Sequence, residues 1–276
     1  MEKMQGLIAL DIDGTLTTKD HLIPNEVVSY LGSLQKEGWQ IALITGRMLS
    51  FARRAIANID FPYYLGVQNG ADILSMPDET LFQRAYLEQP FLADLDALYE
   101  GMETDYLISS GYEKGDFCYY RPKLFPEGMR GYLQKLETLG DPWHACETFD
   151  VDAFPLIKCV GSKESLEPIV AKLKMRSDIA CAFISDPISD GFYHLILITH
   201  AESTKGKAVR RIANALNITY PIIAAGDDDN DVPMLIEADI AIAMGGAPQH
   251  VLDHCDILAK PSHEMGIIEA LQMATR

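Results

Sequence analysis

The chain of 276 residues has no long hydrophobic run, because its apolar stretches are much shorter than the ~20 residues of a membrane-spanning helix. Basic residues are also few. There are 23 lysines and arginines against 40 aspartates and glutamates, and the formal net charge is -17. Nucleic acids and anionic membranes are therefore not expected as partners, because like charges repel.

Cysteine is scarce as well. The five cysteines are odd in number and scattered along the chain, which does not fit a disulfide framework. The first residues hold one lysine before a short apolar run, but two aspartates end that run, so a secretory signal is not predicted. We therefore expect a protein of the reducing cytoplasm. The sequence makes no prediction of the oligomeric state.

Short apolar runs alternate with amphipathic segments in the first and last thirds of the chain. Leu7–Leu10 and Ile41–Ile44 are typical of strands buried on both faces, and Asn25–Glu37 between them predicts a helix. The last third repeats this order with a helix at Lys205–Leu216 and a strand at Ile222–Ala225. The alternation predicts an α/β fold with a Rossmann-like, doubly wound parallel sheet.

The middle of the chain has strand and helix patterns of its own and is long enough to bury its own core. We therefore expect two domains. Residues 1–82 and 199–276 would form the core, and residues 83–198 would form an α/β domain inserted into it.

Two aspartates follow the first predicted strand. Asp11 comes directly after Leu10, at the carboxyl end of the strand, which is the edge where open α/β sheets bind ligands. A carboxylate in this place can attack phosphorus, while Asp13 protonates the leaving oxygen, because two close carboxylates separate their pKa values. Gly14 permits a sharp turn next to them. The alternative is an acidic turn without a chemical role.

Two further segments offer groups that bind phosphate. Thr45 ends the second strand, and its hydroxyl and the amide of Gly46 could hold phosphoryl oxygens, although a helix cap is the alternative. Lys205 begins a helix, where main-chain amides already favour an anion, and its ammonium could offset developing charge. The alternative for Lys205 is a solvated surface lysine.

An acidic loop follows the strand at Ile222–Ala225. Asp227 can complete an oxygen-only Mg²⁺ site with Asp11 and the main-chain carbonyl of Asp13, and consecutive aspartates would repel one another strongly without a cation. We expect Asn230 and Asp231 to hold these ligands in place.

The next two residues of this loop, Asp228 and Asp229, are interpreted as exposed to water rather than as ligands.

These motifs resemble those of the haloacid dehalogenase superfamily of aspartate-nucleophile phosphatases, and most of all its Cof-type and sucrose-phosphatase-like branch. The resemblance covers the first and last thirds of the chain in the family's order. It rests on Asp11–Leu16, Leu43–Arg47, Asn69–Ala71, Ser203–Gly206, Gly226–Asp227, Asn230–Leu235 and Ile242–Ala247.

The resemblance implies a Rossmann-like core with a large α/β cap that selects the substrate. It also implies roles for single residues. The nucleophile would be Asp11, with Asp13 as general acid and base. Mg²⁺ would be bound by Asp11, Asp13 and Asp227, with Asp231 in support, and the phosphate by Thr45, Gly46, Lys205 and Asn230, with Arg47 and Asn69 near the substrate.

The expected enzyme is therefore a Mg²⁺-dependent phosphatase that hydrolyses small phosphorylated metabolites, such as sugar phosphates, through an aspartyl phosphate. Asp228 departs from the small residue that the family usually has there. Two alternatives stay open: a phosphomutase with the same core, and a phosphorylatable signalling receiver domain. The receiver is less favoured, because such domains have about half this length and no inserted segment.

Overall fold

The computed structural model describes residues 4–18, 20–138, 142–185, 189, 192–219 and 221–276. The chain divides into two compact units. We call them the core unit, Met1–Arg47 with Ala52–Arg84 and Thr204–Arg276, and the insert unit, Met48–Phe51 with Ala85–Ser203.

The α-helices and strands of the described residues are numbered in chain order. They are β1 (Gly6–Leu10), α1 (Asn25–Lys36), β2 (Trp39–Ile44), α2 (Leu49–Ile56), β3 (Tyr63–Val67), β4 (Asp72–Met76), β5 (Thr80–Arg84), β6 (Leu87–Glu88), α3 (Pro90–Tyr99), β7 (Tyr106–Ser109), β8 (Cys118–Tyr120), α4 (Glu127–Thr138), β9 (Trp143–Ala145), β10 (Ala153–Phe154), β11 (Leu156–Gly161), α5 (Lys163–Leu173), β12 (Ile179–Ser185), β13 (His194–His200), α6 (Lys205–Ala215), β14 (Ile222–Gly226), α7 (Val232–Glu237), β15 (Ile240–Ala243), α8 (Gln249–Leu252), β16 (Ile257–Leu258) and α9 (Gly266–Ala274).

The core unit is built on one sheet with the strand order β16-β15-β14-β1-β2-β3-β4-β5. All neighbours from β16 to β3 are parallel, and the chain order reverses between β1 and β14. The predicted α/β fold with a doubly wound parallel sheet is confirmed. The antiparallel strands β4 and β5 extend this sheet and were not predicted. The reason is that β5, at the edge, is only partly buried and lacks a continuous apolar run.

The central strand β1 is apolar throughout because both of its faces are covered. Leu7 and Ala9 pack in one cluster with Ala208 and Ile212 of α6, while Ile8, which points to the opposite face, is also fully buried. Each such Leu or Ile contributes ~1.5–3 kcal/mol by its burial. The end of β1, from which Asp11 projects, is therefore held firmly.

The insert unit has a second sheet with the strand order β12-β13-β11-β7-β8-β9, in which only β8 and β9 run parallel. Helices α3 and α5 pack against one face of this sheet around Ile157 and Ile196. Helix α4 packs against the other face around Leu107 and Val160. The strands β6 and β10 form a separate pair. This unit therefore has a core of its own.

Among the helices in the described part of the chain, none is both long enough and apolar enough to cross a membrane.

Candidate active site

The predicted site residues lie at one edge of the core sheet. In the parallel register, Leu10 of β1 pairs with Leu43 of β2 on one side and with Ala225 of β14 on the other. Each strand ends within two residues of these pairs, so Asp11, Thr45 and Asp227 follow at the same edge. This edge lies where the strand order reverses, which is the usual ligand position in such folds.

Lys205 provides the positive charge at this edge. It is the first residue of α6, whose N-cap Thr204 accepts a hydrogen bond from the main-chain N–H of Lys207. Its ammonium donates to Oδ1 of Asp11 and Oδ1 of Asp231, both over 2.5 Å, and only 1% of the side chain is exposed. The alternative of a solvated surface lysine is therefore wrong.

Asp231 uses its second oxygen to shape the acidic loop. Its Oδ2 accepts hydrogen bonds from the main-chain N–H groups of Asp227, over 2.9 Å, and Asp228, over 3.1 Å. Gly226 makes room for it, because a Cβ on Gly226 would lie 2.4 Å from the Cβ of Asp231. With Lys205 on its other oxygen, the Asp231 carboxylate is well occupied by donors, which suits support of the ligands rather than primary ligation.

The electrostatics of the cluster show a shortage of positive charge. Burial is the main cause that raises the pKa of Asp11 well above its ordinary value, with further increases from Asp231 and Asp227. Burial and the nearby Asp231 raise the pKa of Asp227 to about 7. Burial alone would lower the pKa of Lys205, but Asp11 and Asp231 outweigh it and the pKa is raised. One ammonium among three carboxylates therefore leaves the cluster able to take up a cation.

The donor set fits Mg²⁺. Carboxylate oxygens of Asp11, Asp227 and Asp231 lie within 4.8 Å of one another, and oxygen-only sites are those that this ion prefers. The main chain of the turn after β1 lies close to the carboxylate of Asp227. Gly14 has a φ of +70°, and a Cβ there would lie 2.1 Å from Oδ2 of Asp227. Thr15 steadies the same carboxylate by donating to Oδ1 over 3.2 Å.

The side chain of Asp13 is held by a different partner. Nε of Arg47 donates to Oδ2 of Asp13 over 2.6 Å, and Nη2 of Arg47 donates to Oδ1. His21 lies beside this pair, with Nδ1 3.6 Å from Oδ1 of Asp13 and 3.5 Å from Nη2 of Arg47. His21 is not among the residues that the sequence motifs predict for the site. The main-chain N–H of His21 donates to the carbonyl of Thr18, and that of Thr18 donates to the carbonyl of Leu22.

The loops around Gly46 join the remaining predicted residues. The hydroxyl of Thr45 accepts a hydrogen bond from the main-chain N–H of Arg47 over 3.1 Å. Both residues lie in the loop before α2, which begins at Leu49, so this bond does not cap that helix. Asn69, with a φ of 59°, accepts a bond at Oδ1 from Nδ2 of Asn230 over 3.2 Å. A Cβ on Gly46 would lie 3.4 Å from Asn69 and 3.5 Å from Asn230, so the three residues are neighbours.

Most of the chain matches known proteins. Residues 8–271 match the family of haloacid dehalogenase-like hydrolases. The chain belongs to this family. The resemblance stated from the motifs is therefore confirmed, and so is the prediction of an enzyme of this phosphatase class.

Named relatives align with nearly the full length of the chain. A phosphoglycolate phosphatase of Methanopyrus kandleri is 25% identical, over 98% of this chain and 97% of its own length. The 5-amino-6-(5-phospho-D-ribitylamino)uracil phosphatase YcsE of Bacillus subtilis is 22% identical, over 96% and 94%. The solved structure of the phosphatase BT1666 from Bacteroides thetaiotaomicron has a TM-score of 0.80 at 19% identity, over 99% and 96% of the two chains.

In this hydrolase the two residues of the acidic loop that were interpreted as exposed are indeed exposed. Asp228 accepts a hydrogen bond from the main-chain N–H of Asp229 over 2.8 Å, and together with Asp231 it caps the turn. The carboxylate of Asp229 contacts His250 of α8. The residue at which the chain departs from the family pattern therefore shapes the loop and does not point into the carboxylate cluster.

Proposed function

We propose that the protein is a Mg²⁺-dependent phosphatase that hydrolyses small phosphorylated metabolites through an aspartyl phosphate on Asp11. The observation that supports this best is the buried cluster at the sheet edge where the strand order reverses. There Asp11 contacts the ammonium of Lys205 and lies within 4.8 Å of the carboxylate of Asp227.

The proposed chemistry has two steps. In the first, an oxygen of Asp11 attacks the phosphorus atom, the bond to the ester oxygen breaks, and Asp13 gives a proton to the departing alcohol. In the second, water hydrolyses the aspartyl phosphate and Asp13 takes the proton back. Lys205 stabilises the negative charge throughout, and it does so strongly because it is excluded from water.

The bound metal ion has a supporting part in this proposal. When bound, Mg²⁺ would neutralise phosphoryl oxygens and the carboxylates around it. Asp11 and Asp227 would be its side-chain ligands, with the main-chain carbonyl of Asp13 as predicted from the resemblance and Asp231 in support. Thr45, Gly46 and Asn230 would bind the phosphoryl oxygens, because they stand next to this cluster on the core unit.

The substrate is proposed only as a class. The named relatives act on phosphoglycolate and on a phosphorylated ribitylaminouracil, which share a phosphate ester and little else. A sugar phosphate or a similar small ester fits this range. We propose that the insert unit is the predicted cap domain and selects the alcohol portion, with the core carrying out the chemistry. The predicted bounds of 83–198 for this domain lie close to the Ala85–Ser203 segment of the insert unit.

The test is the release of inorganic phosphate from a panel of sugar phosphates, nucleotides and vitamin phosphates. We expect Mg²⁺-dependent release that EDTA abolishes, and an Asp11→Asn variant that keeps its fold but loses at least about 10³-fold in turnover. Asp228→Asn removes a neighbouring exposed carboxylate and serves as the control, with activity near that of the wild type.

Other outcomes would change the proposal. Formation of a phosphate isomer without release of phosphate would identify a phosphomutase. A stable acyl phosphate, without hydrolysis of any ester, would identify a receiver-like protein. Activity of Asp11→Asn at the wild-type level would remove the nucleophile from the proposal.

A further inference from the structure

The side chain of Arg47 donates two hydrogen bonds to Asp13, the residue that is proposed to transfer protons. Nε and Nη2 of the guanidinium donate to the two different oxygens of Asp13, so both oxygens are held at once. Only 6% of the Arg47 side chain is exposed, against 44% of the Asp13 side chain. Arg47 therefore holds the carboxylate from its buried side and leaves it accessible to water.

Arg47 is itself well anchored. Its main-chain N–H donates to the hydroxyl of Thr45 over 3.1 Å, and its carbonyl accepts a bond from the main-chain N–H of Gln68 over 2.8 Å. The base of the side chain therefore cannot shift without moving the loop after β2. A planar guanidinium on a fixed base orients a carboxylate more closely than a flexible ammonium can.

We propose that Arg47 is a positioning residue that orients the carboxyl group of Asp13 for the second step, the hydrolysis of the aspartyl phosphate. This inference rests on the function proposed above. In that step the water oxygen bonds to phosphorus, and the bond between phosphorus and Asp11 breaks with its electron pair returning to Asp11. The proton of the water passes to Asp13. The two hydrogen bonds suit this step because they fix the direction of the oxygens that receive that proton.

This role differs in its kinetics from two others that Arg47 could have. A residue that binds the substrate, as the resemblance implies for Arg47, affects KM when it is changed. A residue that only supports the fold affects both chemical steps. When a residue that positions Asp13 for hydrolysis is changed, the loss of phosphate from Asp11 slows and the phosphorylated enzyme accumulates.

The experiment uses Arg47→Lys, which keeps the positive charge but cannot hold both oxygens. The purified full chain is mixed with Mg²⁺ and p-nitrophenyl phosphate, whose leaving group needs little protonation. Nitrophenolate is followed in time, and acid-quenched samples are measured by intact-protein mass spectrometry. We expect a burst close to one nitrophenolate per chain. A steady rate about 10–100-fold below that of the wild type should follow, with most of the protein one phosphoryl group heavier.

Two further variants make the result specific. Arg53→Lys changes an exposed arginine that pairs with Glu79, and it should show wild-type rates and no burst. Asp13→Asn should also accumulate phosphorylated enzyme. Adding Arg47→Lys to it should cause little further loss, because both changes act through the same carboxylate.

The opposite results would overturn the inference. If Arg47→Lys only raises KM, or slows the burst as much as the steady rate, Arg47 does not position Asp13 for hydrolysis. Such a result with an active wild type refutes this inference and leaves the phosphatase proposal intact. A wild type that neither becomes phosphorylated on Asp11 nor releases phosphate refutes both.

Discussion

Replacing Asp227 by Asn is expected to stabilise the metal-free protein at neutral and alkaline pH. Burial and the neighbouring Asp231 raise the pKa of Asp227 from 3.8 to about 7. The folded chain therefore holds this carboxyl in its ionised form less readily than the unfolded chain does. Asparagine has nearly the same shape, carries no charge and can still accept the hydrogen bond from Thr15.

The sign and the size of the effect follow from the pKa. The contribution of the protonated carboxyl to stability is present below pH 3.8 and is lost as the pH rises through about 7. This rise of the Asp227 pKa corresponds to about 4 kcal/mol of unfolding free energy, at ~1.4 kcal/mol for each pH unit. Asp227→Asn and the wild type should therefore differ little in unfolding free energy at about pH 4. The difference should approach this value at about pH 8.

The assay is urea unfolding of both proteins with EDTA present, at several pH values between these limits. Asp228→Asn is the matched control, since it removes the adjacent exposed carboxylate, and its unfolding free energy should differ little from that of the wild type at any pH. With Mg²⁺ at ~100 times its Kd the difference should shrink by up to ~2.7 kcal/mol at high pH, because the wild type gains the free energy of binding the ion and Asp227→Asn loses most of it.

The reasoning is refuted if Asp227→Asn is no more stable than the wild type in EDTA at about pH 8, or if its effect on stability does not change with pH. Either result would mean that the ionised carboxylate of Asp227 is not destabilised in the metal-free protein.

Three other predictions concern the same cluster. Gly14→Ala should weaken activation by Mg²⁺ by about 10-fold or more, because its Cβ would strike the Asp227 carboxylate. Gly101→Ala, at a similar positive φ but with open space around it, should leave that activation unchanged. Lys205→Met should lower the unfolding free energy by ~3–5 kcal/mol in EDTA, because two buried carboxylates lose their counter-charge, and a loss under ~1 kcal/mol would contradict the ion-pair geometry. Binding of Mg²⁺ below about pH 7 should release protons, since the ion displaces the proton from Asp227, and calorimetry in buffers of different ionisation enthalpy measures this release.

The position of the site was predictable because it depends on local sequence. A buried strand followed by a polar residue places that residue at the strand's carboxyl end, and parallel strands bring such ends to one edge. This local pattern alone predicts the place of Asp11, Thr45 and Asp227. The hairpin of β4 and β5 was not predicted. β5, at the edge of the sheet, is only partly buried and its sequence carries a weak pattern, whereas β4 lies inside the sheet and is mostly buried.

The partners of each side chain were decided by the tertiary structure. The sequence singled out Lys205 and Asp13, but nothing in it showed that Lys205 would be buried between two aspartates or that Asp13 would be held by Arg47. These partners stand far apart in the chain, and no pattern in the sequence showed that His21 would lie beside Asp13. Strand patterns determine which end of a strand a residue occupies, whereas the distance between two side chains depends on how the loops pack, and that is a property of the folded chain alone.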